Sequence, residues 1–552
     1  MRKNILLLSA TLFSLYVCSQ PAWQWGREAG GPGNDLGYSI STDPSGNSYV
    51  TGRYYATAAF GTNSISSYGG PDIFIAKYNP LGVCVWARHA GSIDSQDMYG
   101  DEGDGIDIDA SGNCYVTGNF KGQATFGSTV IGNAMSTSRN IFLAKYDANG
   151  NLVWATCPAS IMSDNYSRSV AVDAAGNAYI TGYLGGGTAT FGAFSLSGAG
   201  GFIVKYDSGG NVVYATKLGV NGALDLYGVT FDAAGSAYVT GYLQSSDVIN
   251  SQTYTSSGMR DGILLKVDAA GNFLWMEQAQ EAANTVCMPT AVCSDGQDGI
   301  YWCGKTDNTT IFGMDTIHAT QFSSEIFLVK YDTSGAVLWA TQSVGQIFSS
   351  GTHALAVTCD QNASVFITGS FGNDLMFDSY LLSNNGMGNN TFIVSFNKNT
   401  GICQFGIAST GQNCGAYGHG ISTDNNGSVY ICGYAKAPVV FGSDTTAFIG
   451  GEDFFIAKIG HEKPSTVGEQ QDPASPQVFY SSADHTVNIS LNATAAQGAS
   501  YFVLYDLSGR EVKRSAVTST FTAVELDDLA NGIYCWRIEG AVNSAGKILL
   551  SE

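Results

Sequence analysis

The chain contains the segment Asp43-Pro-Ser-Gly-Asn-Ser-Tyr-Val-Thr-Gly52, and six further copies of the same pattern follow it. The common form is Asp-x-x-Gly-Asn-x-Tyr-Val-Thr-Gly, with more substitutions in the last three copies. The closing glycines lie 59 to 66 residues apart along the chain: Gly52, Gly118, Gly182, Gly241, Gly304, Gly369 and Gly433. A period of this length is typical of repeat architectures, in which each copy is one structural unit.

The repeated segments have the composition of β-strands. They are short, alternating and rich in Val, Ile, Tyr, Phe and Thr, with Gly, Asn or Asp between them. In the Asp-x-x-Gly-Asn segments, the Asp side chain accepts a backbone N–H two residues on, and Gly takes the positive φ that closes a hairpin. We predict four strands in each copy, which in the first copy are residues 38–43, 48–54, 73–78 and 83–87.

The two ends of the repeat region complement each other. The seventh copy stops after its third strand, at Ile459, whereas Gln24-Trp-Gly-Arg-Glu-Ala-Gly30 matches Val85-Trp-Ala-Arg-His-Ala-Gly91 of the first copy. The N-terminal strand can therefore complete the last sheet, and closed radial repetition removes exposed sheet edges. The predicted fold is all-β: a seven-bladed β-propeller closed by the N-terminal strand, over residues 20–460.

This pattern resembles the seven-bladed propeller repeat family called SBBP repeats, which occurs in secreted bacterial proteins. The resemblance covers about residues 23–460, and seven copies keep its register. It implies the propeller fold and leaves the activity open.

A region with a different sequence pattern follows the repeats. A polar, proline-containing linker is predicted at residues 461–476, and residues 477–552 have the strand pattern of a small β-sandwich. This part looks like the type A sorting domain of the type IX secretion system, on Tyr505-Asp-Leu-Ser-Gly-Arg-Glu-Val512, Leu529-Ala-Asn-Gly-Ile-Tyr534 and Lys547-Ile-Leu-Leu550. The Asn-Pro that often opens such domains is absent, and Ser475-Pro476 stands in that region.

The resemblance implies export across the outer membrane of a Bacteroidota-type cell, with the type IX machinery as a partner. Release or anchoring at the surface would follow. An ordinary carbohydrate-binding or adhesive sandwich is the alternative for residues 477–552.

The first residues have the features of a signal peptide, predicted at residues 1–19. Met1-Arg-Lys3 is followed by an apolar run, residues 5–17, that is too short to span a membrane. Cys18 raises a lipoprotein alternative, and no other segment is apolar enough to cross a bilayer.

Composition excludes one class of partner and gives no cofactor. The net charge of −21 argues against nucleic acid, because phosphate binding needs a basic surface. Residues 299–306 satisfy the P-loop expression but occupy a repeated strand position, so no nucleotide site is predicted. The acidic run that contains Asp101, Asp104 and Asp107 is a calcium hypothesis, with a solvated acidic rim as the alternative. Most cysteines are expected to be small buried residues, although Cys403 and Cys414 could pair.

Alignment of the copies with one another gives the candidate site. Three residues before each turn aspartate the position is always Ile or Val, whereas five residues before it the side chains differ: Tyr38, Asp104, Arg168, Tyr227, Thr290, Leu355 and His419. If the first strands line a central channel, this column rings one of its mouths. The candidate ligand-binding residues are Tyr38, Asp104, Arg168, Tyr227, Thr290 and His419. The alternatives are a solvated ring without a partner and a site on the long outer loops.

These features favour a secreted or surface-displayed, non-enzymatic binding or scaffold protein. Its ligand would be a glycan, a protein or a surface component. The alternative is a secreted polysaccharide lyase or hydrolase with a site in the channel, in which His419 acts with Tyr38 or Asp104. No catalytic residue is assigned.

Overall fold

The structure is a computed structural model. It describes residues 21–93, 100–160, 163–281, 285–319, 324–345, 351–384, 386 and 388–460, and then 477–481, 486–490, 500–506, 510–517, 521–526, 529, 532–539 and 544–550. These residues contain strands and no helix. The chain divides into two compact units, residues 1–461 and 462–552. The predicted signal peptide (1–19) and linker (461–476) lie outside the described residues.

The strands of the first unit follow the repeats. A leading strand and the first two repeats give β1 (Ala22–Ala29), β2 (Leu36–Thr42), β3 (Ser48–Tyr54), β4 (Thr57–Phe60), β5 (Asn63–Ser66), β6 (Asp72–Tyr78), β7 (Cys84–Ser92), β8 (Glu102–Ile108), β9 (Cys114–Lys121), β10 (Gln123–Phe126), β11 (Thr129–Gly132), β12 (Arg139–Tyr146) and β13 (Leu152–Thr156). The third and fourth repeats give β14 (Ala159–Ser160), β15 (Asn165–Val172), β16 (Ala178–Leu184), β17 (Thr188–Phe191), β18 (Phe194–Ser197), β19 (Gly200–Tyr206), β20 (Val212–Leu218), β21 (Leu224–Phe231), β22 (Ala237–Leu243), β23 (Ser246–Ile249), β24 (Gln252–Thr255), β25 (Asp261–Val267) and β26 (Phe273–Gln278).

The remaining repeats continue in the same order. They give β27 (Gln280–Glu281), β28 (Cys287–Ser294), β29 (Ile300–Thr306), β30 (Thr310–Phe312), β31 (Asp315–Ile317), β32 (Glu325–Tyr331), β33 (Val337–Gln342), β34 (Val344–Gly345), β35 (His353–Cys359), β36 (Ser364–Phe371), β37 (Leu375–Phe377), β38 (Tyr380–Leu382), β39 (Asn390–Asn397), β40 (Cys403–Ala408), β41 (Tyr417–Thr423), β42 (Val429–Ala435), β43 (Val440–Phe441), β44 (Asp444–Thr445) and β45 (Asp453–Gly460). The segment that satisfied the P-loop expression lies in β29, with no helix after it.

In each of the first six repeats, the four long strands pair antiparallel in chain order, as in β21-β22-β25-β26. The last repeat supplies three of these strands, and β1 supplies the fourth by pairing with β45. Glu28 of β1 lies opposite Phe455. This is the pairing that the end-to-end complementarity of the sequence predicts.

The first strands of the sheets pack side by side. Going along the chain, β2 packs on β8, β8 on β15, β15 on β21, β21 on β28, β28 on β35 and β35 on β41, and β41 also packs on β2. The apolar core lies between neighbouring sheets. One cluster joins Trp86 to Phe142 of the next repeat, and another joins Phe454 of the last repeat to Phe74 of the first.

The turn between the first two strands is built as its sequence predicts. Asp43 Oδ1 accepts hydrogen bonds from Ser45 N (3.0 Å) and Asn47 N (2.8 Å), and Gly46 has a φ of 84°. The same pair of bonds is accepted by the turn aspartates of the other six copies: Asp109, Asp173, Asp232, Asp295, Asp360 and Asp424. The repeated motif therefore holds one local geometry through its own side chain.

The suggestion that Cys403 and Cys414 could form a disulfide is wrong for this structure. Both thiols are free, and the two residues belong to different core clusters. Cys403 packs with the sixth sheet, and Cys414 lies beside Asn389 and Asn390, to which its sulfur is 3.1 and 3.0 Å distant.

The second unit contains two antiparallel sheets. Its strands are β46 (Gln477–Ser481), β47 (Thr486–Ser490), β48 (Ser500–Tyr505), β49 (Glu511–Val517), β50 (Phe521–Glu525), β51 (Gly532–Glu539) and β52 (Ser544–Leu550). The sheet orders are β46-β47-β50 and β49-β48-β51-β52. Side chains of both sheets, among them Val487 and Phe502, share one buried apolar cluster.

Candidate functional site

Every first strand carries a β-bulge at the same place. Its pairing with the second strand shifts register across the residue that lies five positions before the turn aspartate. A bulge leaves one residue unpaired in the ladder and re-aims its side chain. The bulged residues are the variable column of the sequence: Tyr38, Asp104, Arg168, Tyr227, Thr290, Leu355 and His419.

All seven bulged residues line one cavity with a volume of about 970 Å³. Because every first strand contributes to its wall, the cavity lies within the ring that these strands form. The six side chains that the sequence singled out are thus brought together, and the apolar Leu355 joins them. We call this set of seven residues the bulge ring.

Arg168 and its neighbours make one polar side of the bulge ring. Arg168 Nη2 lies 3.3 Å from Asp225 Oδ2, and its guanidinium lies 4.4 Å from the centre of the Tyr227 ring. Tyr242 donates its hydroxyl hydrogen to the same Asp225 oxygen (3.2 Å). Burial acts to lower the pKa of Arg168, but Asp225, Tyr227 and Asp104 together outweigh it, so the net shift is upward and the guanidinium stays charged.

Two polar atoms of this pair have unused hydrogen-bonding capacity. Within the described residues, the buried Arg168 Nε and Asp225 Oδ1 have no hydrogen-bond partner. A buried donor or acceptor without a partner is costly, and a ligand that supplies one recovers that cost.

Asp104 occupies the neighbouring position of the bulge ring. Its Oδ2 accepts a hydrogen bond from Asn119 Nδ2 (2.6 Å). Burial raises the pKa of Asp104 well above its usual range, and Glu102 adds to this, whereas Arg168 and Arg53 oppose it. A protonated carboxyl can both donate and accept a hydrogen bond to a neutral polar ligand.

An aromatic side of the bulge ring is built around His419. Its ring meets Tyr38 edge-on, with centres 5.6 Å apart, and stacks on Tyr434 at 5.2 Å. Tyr417 also stacks on Tyr434, with ring centres 5.2 Å apart. Burial lowers the pKa of His419 to about 4, and nearby His353 contributes, so the imidazole is neutral at physiological pH. Neutral stacked rings suit an uncharged ligand with apolar faces.

The remaining two positions are less polar. Thr290 uses its hydroxyl to donate to the carbonyl of Ala354 in the next sheet (2.9 Å). Leu355 presents an apolar side chain to the same cavity. The Thr290 hydroxyl hydrogen is therefore already used in a structural hydrogen bond, and Leu355 offers only van der Waals contact.

Sequence reasoning missed several residues of the cavity wall. Met288, His353 and Tyr417 stand seven positions before their turn aspartates, whereas Lys305 and Tyr434 follow the closing glycine. Both of these columns also differ from copy to copy. Comparing every column for variation, rather than one, would have identified them.

Each of the three carboxylates of the calcium hypothesis accepts its own protein hydrogen bonds. Asp101 accepts backbone N–H groups of Ser92 and Lys121, and Asp104 is bound to Asn119. Asp107 accepts hydrogen bonds from Ser41 Oγ (2.8 Å) and from the backbone N–H of Val172 (2.7 Å). The three carboxylates serve separate structural bonds, and no group of three acidic, His or Cys side chains in the described part of the chain could hold a metal.

Two segments of the chain match protein-family models. Residues 24–53 match a family described as a β-propeller repeat, SBBP, and residues 481–551 match the secretion system C-terminal sorting domain. Among the described residues, no helix has the length and apolar character needed to cross a membrane.

A longer part of the chain is similar to a viral protein. The chain is 25% identical over 339 residues to an uncharacterized WD repeat-containing protein of Acanthamoeba polyphaga mimivirus, a match that covers 50% of this chain and 24% of the viral protein. The chain thus spans about a quarter of the length of that relative.

Two solved structures are similar at low identity. The WD40 domain of Neurospora crassa Pan2 has 8% identity and a TM-score of 0.39, with 77% of this chain and 89% of that chain covered. A member of the duf4221 family from Bacteroides vulgatus has 7% identity and a TM-score of 0.29, with 80% and 98% covered. Scores this low carry no argument about the site. The described part of the chain is all-β, and the chain has matches to an SBBP β-propeller repeat and to a type IX secretion sorting domain. The sorting domain implies export to a surface or secreted location.

Proposed function

We propose that the protein is an exported, non-enzymatic binding protein whose bulge ring takes a glycan. In this proposal the seven sheets are the blades of a closed seven-bladed β-propeller, the bulge ring is one mouth of its channel, and residues 477–552 form a β-sandwich sorting domain. Residues 1–19 would be the signal peptide. Residues 461–476 would link the two units.

Contacts between the last and first sheets support ring closure. Trp25 of β1 donates its indole N–H to the carbonyl of Pro80 (3.1 Å), and its ring lies against Gly82. At the next junction, Trp86 donates in the same way to the carbonyl of Ala148 (3.2 Å). The junction made by the N-terminal strand thus repeats the contact of a junction within the chain.

One observation carries the binding proposal: the bulge ring holds six different residue types in seven sheets, and only Tyr38 and Tyr227 are alike. Packing in a symmetric array favours the same residue in each copy, as the Ile or Val column in the same strands demonstrates. The bulges direct seven positions into one cavity, and those positions hold aromatic, acidic, basic and apolar side chains. A binding site gives a reason for such asymmetry, since convergent polar groups orient a ligand.

The chemistry of the bulge ring favours a glycan among the ligand classes. Tyr38 and Tyr227 offer aromatic faces for the apolar side of a sugar ring. Asp104 and Arg168 offer hydrogen bonds to hydroxyl groups. Charges of both signs occur at or beside the cavity, because Arg168 of the bulge ring pairs with Asp225 and Lys305 is part of the cavity wall. This balance gives no preference for a polyanion.

A lyase or hydrolase is the second candidate, because Tyr38 and His419 face each other in the cavity. Their contact is between rings, at 5.6 Å between centres. A general base needs its nitrogen within hydrogen-bond reach of the proton that it removes. The binding proposal therefore expects no turnover of any polysaccharide that binds, and cleavage of a bound polysaccharide would replace it with the enzymatic function.

The test is a glycan-array screen of the purified protein with three variants. Arg168→Ala and His419→Ala alter opposite sides of the bulge ring. Arg88→Ala is the matched control, because its guanidinium also lies over an aromatic ring, that of Trp86, but far from the cavity lining. We expect binding by the wild type and by Arg88→Ala, and a loss of at least about tenfold in the other two, which corresponds to about 1.4 kcal/mol.

Binding that is unchanged in both bulge-ring variants would overturn the proposal and move the site to the outer loops. Circular dichroism of each variant checks that its fold persists.

A further inference from the structure

Two cysteines from neighbouring sheets meet beside the cavity. Cys293 lies on β28 and Cys359 on β35, and these two first strands pack against each other. Their sulfur atoms are 3.1 Å apart, and both thiols are free. The pair joins positions that are 66 residues apart in sequence.

The geometry is close to that of a disulfide. The sulfur atoms of a disulfide are about 2.05 Å apart, so a movement of about 1 Å would bring them into bonding distance. Side chains on two packed strands can move this far by small rotations about their Cα–Cβ bonds. The local backbone pairing of Cys293 with Tyr301 and of Cys359 with Val365 would be retained.

The pair is also accessible from the cavity. Cys293 is part of the cavity wall, and both residues are only partly buried. By contrast, Cys114 and Cys432 are fully buried in separate apolar clusters. A small oxidant that enters the cavity can therefore reach Cys293 without unfolding of the sheets.

We propose that Cys293 and Cys359 are an oxidative modification site that forms a disulfide between the fifth and sixth sheets. The oxidant is a disulfide compound, either a small molecule or a thiol oxidoreductase. The Cys293 thiolate attacks one sulfur of that disulfide and releases the first thiol. The Cys359 thiolate then attacks the mixed disulfide and releases the second. Two protein S–H bonds are lost, one S–S bond forms, and the oxidant disulfide is reduced to two thiols.

The crosslink would act on the wall of the cavity. It joins two first strands, and Cys293 lies only three residues after Thr290 of the bulge ring. It also closes a loop of 66 positions, and closing a long loop restricts the unfolded chain more than closing a short one. Export to an oxidising compartment, which the sorting domain implies, is where such bonds persist.

Peptide mapping of the full chain tests this site. The reduced protein is incubated with oxidised glutathione at about pH 8.5, near the usual pKa of a free thiol, because burial raises the pKa of Cys293. Remaining thiols are alkylated after denaturation, and the protein is digested without reduction. We expect the loss of two free thiols, a Cys293–Cys359 crosslinked peptide, and a melting temperature several degrees higher than that of the reduced protein.

Variants supply the controls. Cys293→Ala and Cys359→Ala should each lose no thiol pair, whereas Cys432→Ala, which removes a fully buried cysteine, should still form the crosslink. If wild-type protein keeps every thiol, or if the crosslink joins other cysteines, the proposal is wrong. Wild-type mapping decides the question even if one variant fails to fold.

Discussion

At the scale of single residues, most repeats place a lysine over a tyrosine ring of the neighbouring strand. In the second repeat, Lys145 Nζ lies 4.7 Å from the centre of the Tyr115 ring, 2.6 Å from its hydroxyl oxygen and 3.4 Å from Asp109 Oδ2. The two residues are direct cross-strand partners. The repeated lysine thus stabilises the turn aspartate and the ring together.

The sixth repeat shows what sequence columns can and cannot predict. Ser395 and Phe366 replace the lysine and the tyrosine there, so the column alone predicts a lost interaction. The structure supplies another cation instead, because Lys398 from the following turn lies 3.7 Å from Asp360 Oδ1. A replacement from a different sequence position cannot be seen by aligning copies.

The bulge ring illustrates the same limit. Variation in its column predicted a common site, and the structure brings all seven residues to one cavity. The bulge that re-aims them was not predicted, since the segment reads as an ordinary alternating strand.

Buried carboxyl groups at the sheet junctions make stability depend on pH. Burial raises the pKa of Asp72 to about 8, although the backbone N–H of Tyr68 acts in the opposite direction. The pKa is higher in the folded protein than in the unfolded chain, so folding retains a proton that the unfolded chain loses. The free energy of unfolding should therefore fall as the pH rises from about 4 to about 8.

We expect Asp72→Asn to reduce this decline. Between about pH 5 and pH 8, the free energy of unfolding should fall by at least about 2 kcal/mol less in Asp72→Asn than in the wild type, measured by urea unfolding. The control is Asp147→Asn, at an exposed turn where burial acts to raise the pKa of Asp147 but hydrogen bonds from Asn151 and Asn149 together lower it. Replacing the Asp147 carboxylate should cause a small loss of stability at neutral pH. An unchanged pH dependence in Asp72→Asn would contradict the account.

At the scale of elements, the strand prediction was accurate for the four long strands and incomplete beyond them. No strand was predicted between the second and third long strands, whereas an outer hairpin such as β4-β5 lies there. These strands are only four residues long, and Gly61 turns between them with a φ of 60°. Such short runs give too little alternation to identify two strands.

The N-terminal strand is the element on which ring closure depends. Trp25 and Trp86 are both buried, and they make the same kind of contact with the next sheet. Replacing either tryptophan by alanine should lower the free energy of unfolding by about 3–5 kcal/mol. Exposed Val85→Ala should have little effect.

The comparison between the two tryptophans tests closure, measured by chemical unfolding of each variant. Similar losses are expected if both lie at junctions of one closed ring. A loss below about 1 kcal/mol for Trp25→Ala, with a large loss for Trp86→Ala, would indicate that β1 contributes little to the fold.

At the scale of the whole molecule, the two units have separate roles. The repeats supply the cavity, and the match to the sorting domain lies entirely within the second unit. The sequence predicted this division because its two parts have different internal patterns. The ligand could not be predicted, since no column or motif specifies it.

Deletion of residues 477–552 should abolish export in the native host. We expect the truncated protein in the cell-associated fractions and the full chain at the surface or in the medium, measured by fractionation and immunoblotting. Arg168→Ala in the full chain is the control and should be exported normally. Normal surface delivery of the truncated protein would show that export does not need the second unit.

Hydroxyl-radical footprinting of the full chain, with and without the glycan that the array selects, tests the central claim most directly. Tyrosines and histidine inside and outside the cavity provide the comparison within one molecule. We expect protection of Tyr38, Tyr227 and His419 in the bulge ring, with no change at Tyr55 and Tyr68, which are 45% and 43% exposed. Protection of Tyr55 or Tyr68 without protection of the bulge ring would contradict the account and assign binding to the outer loops.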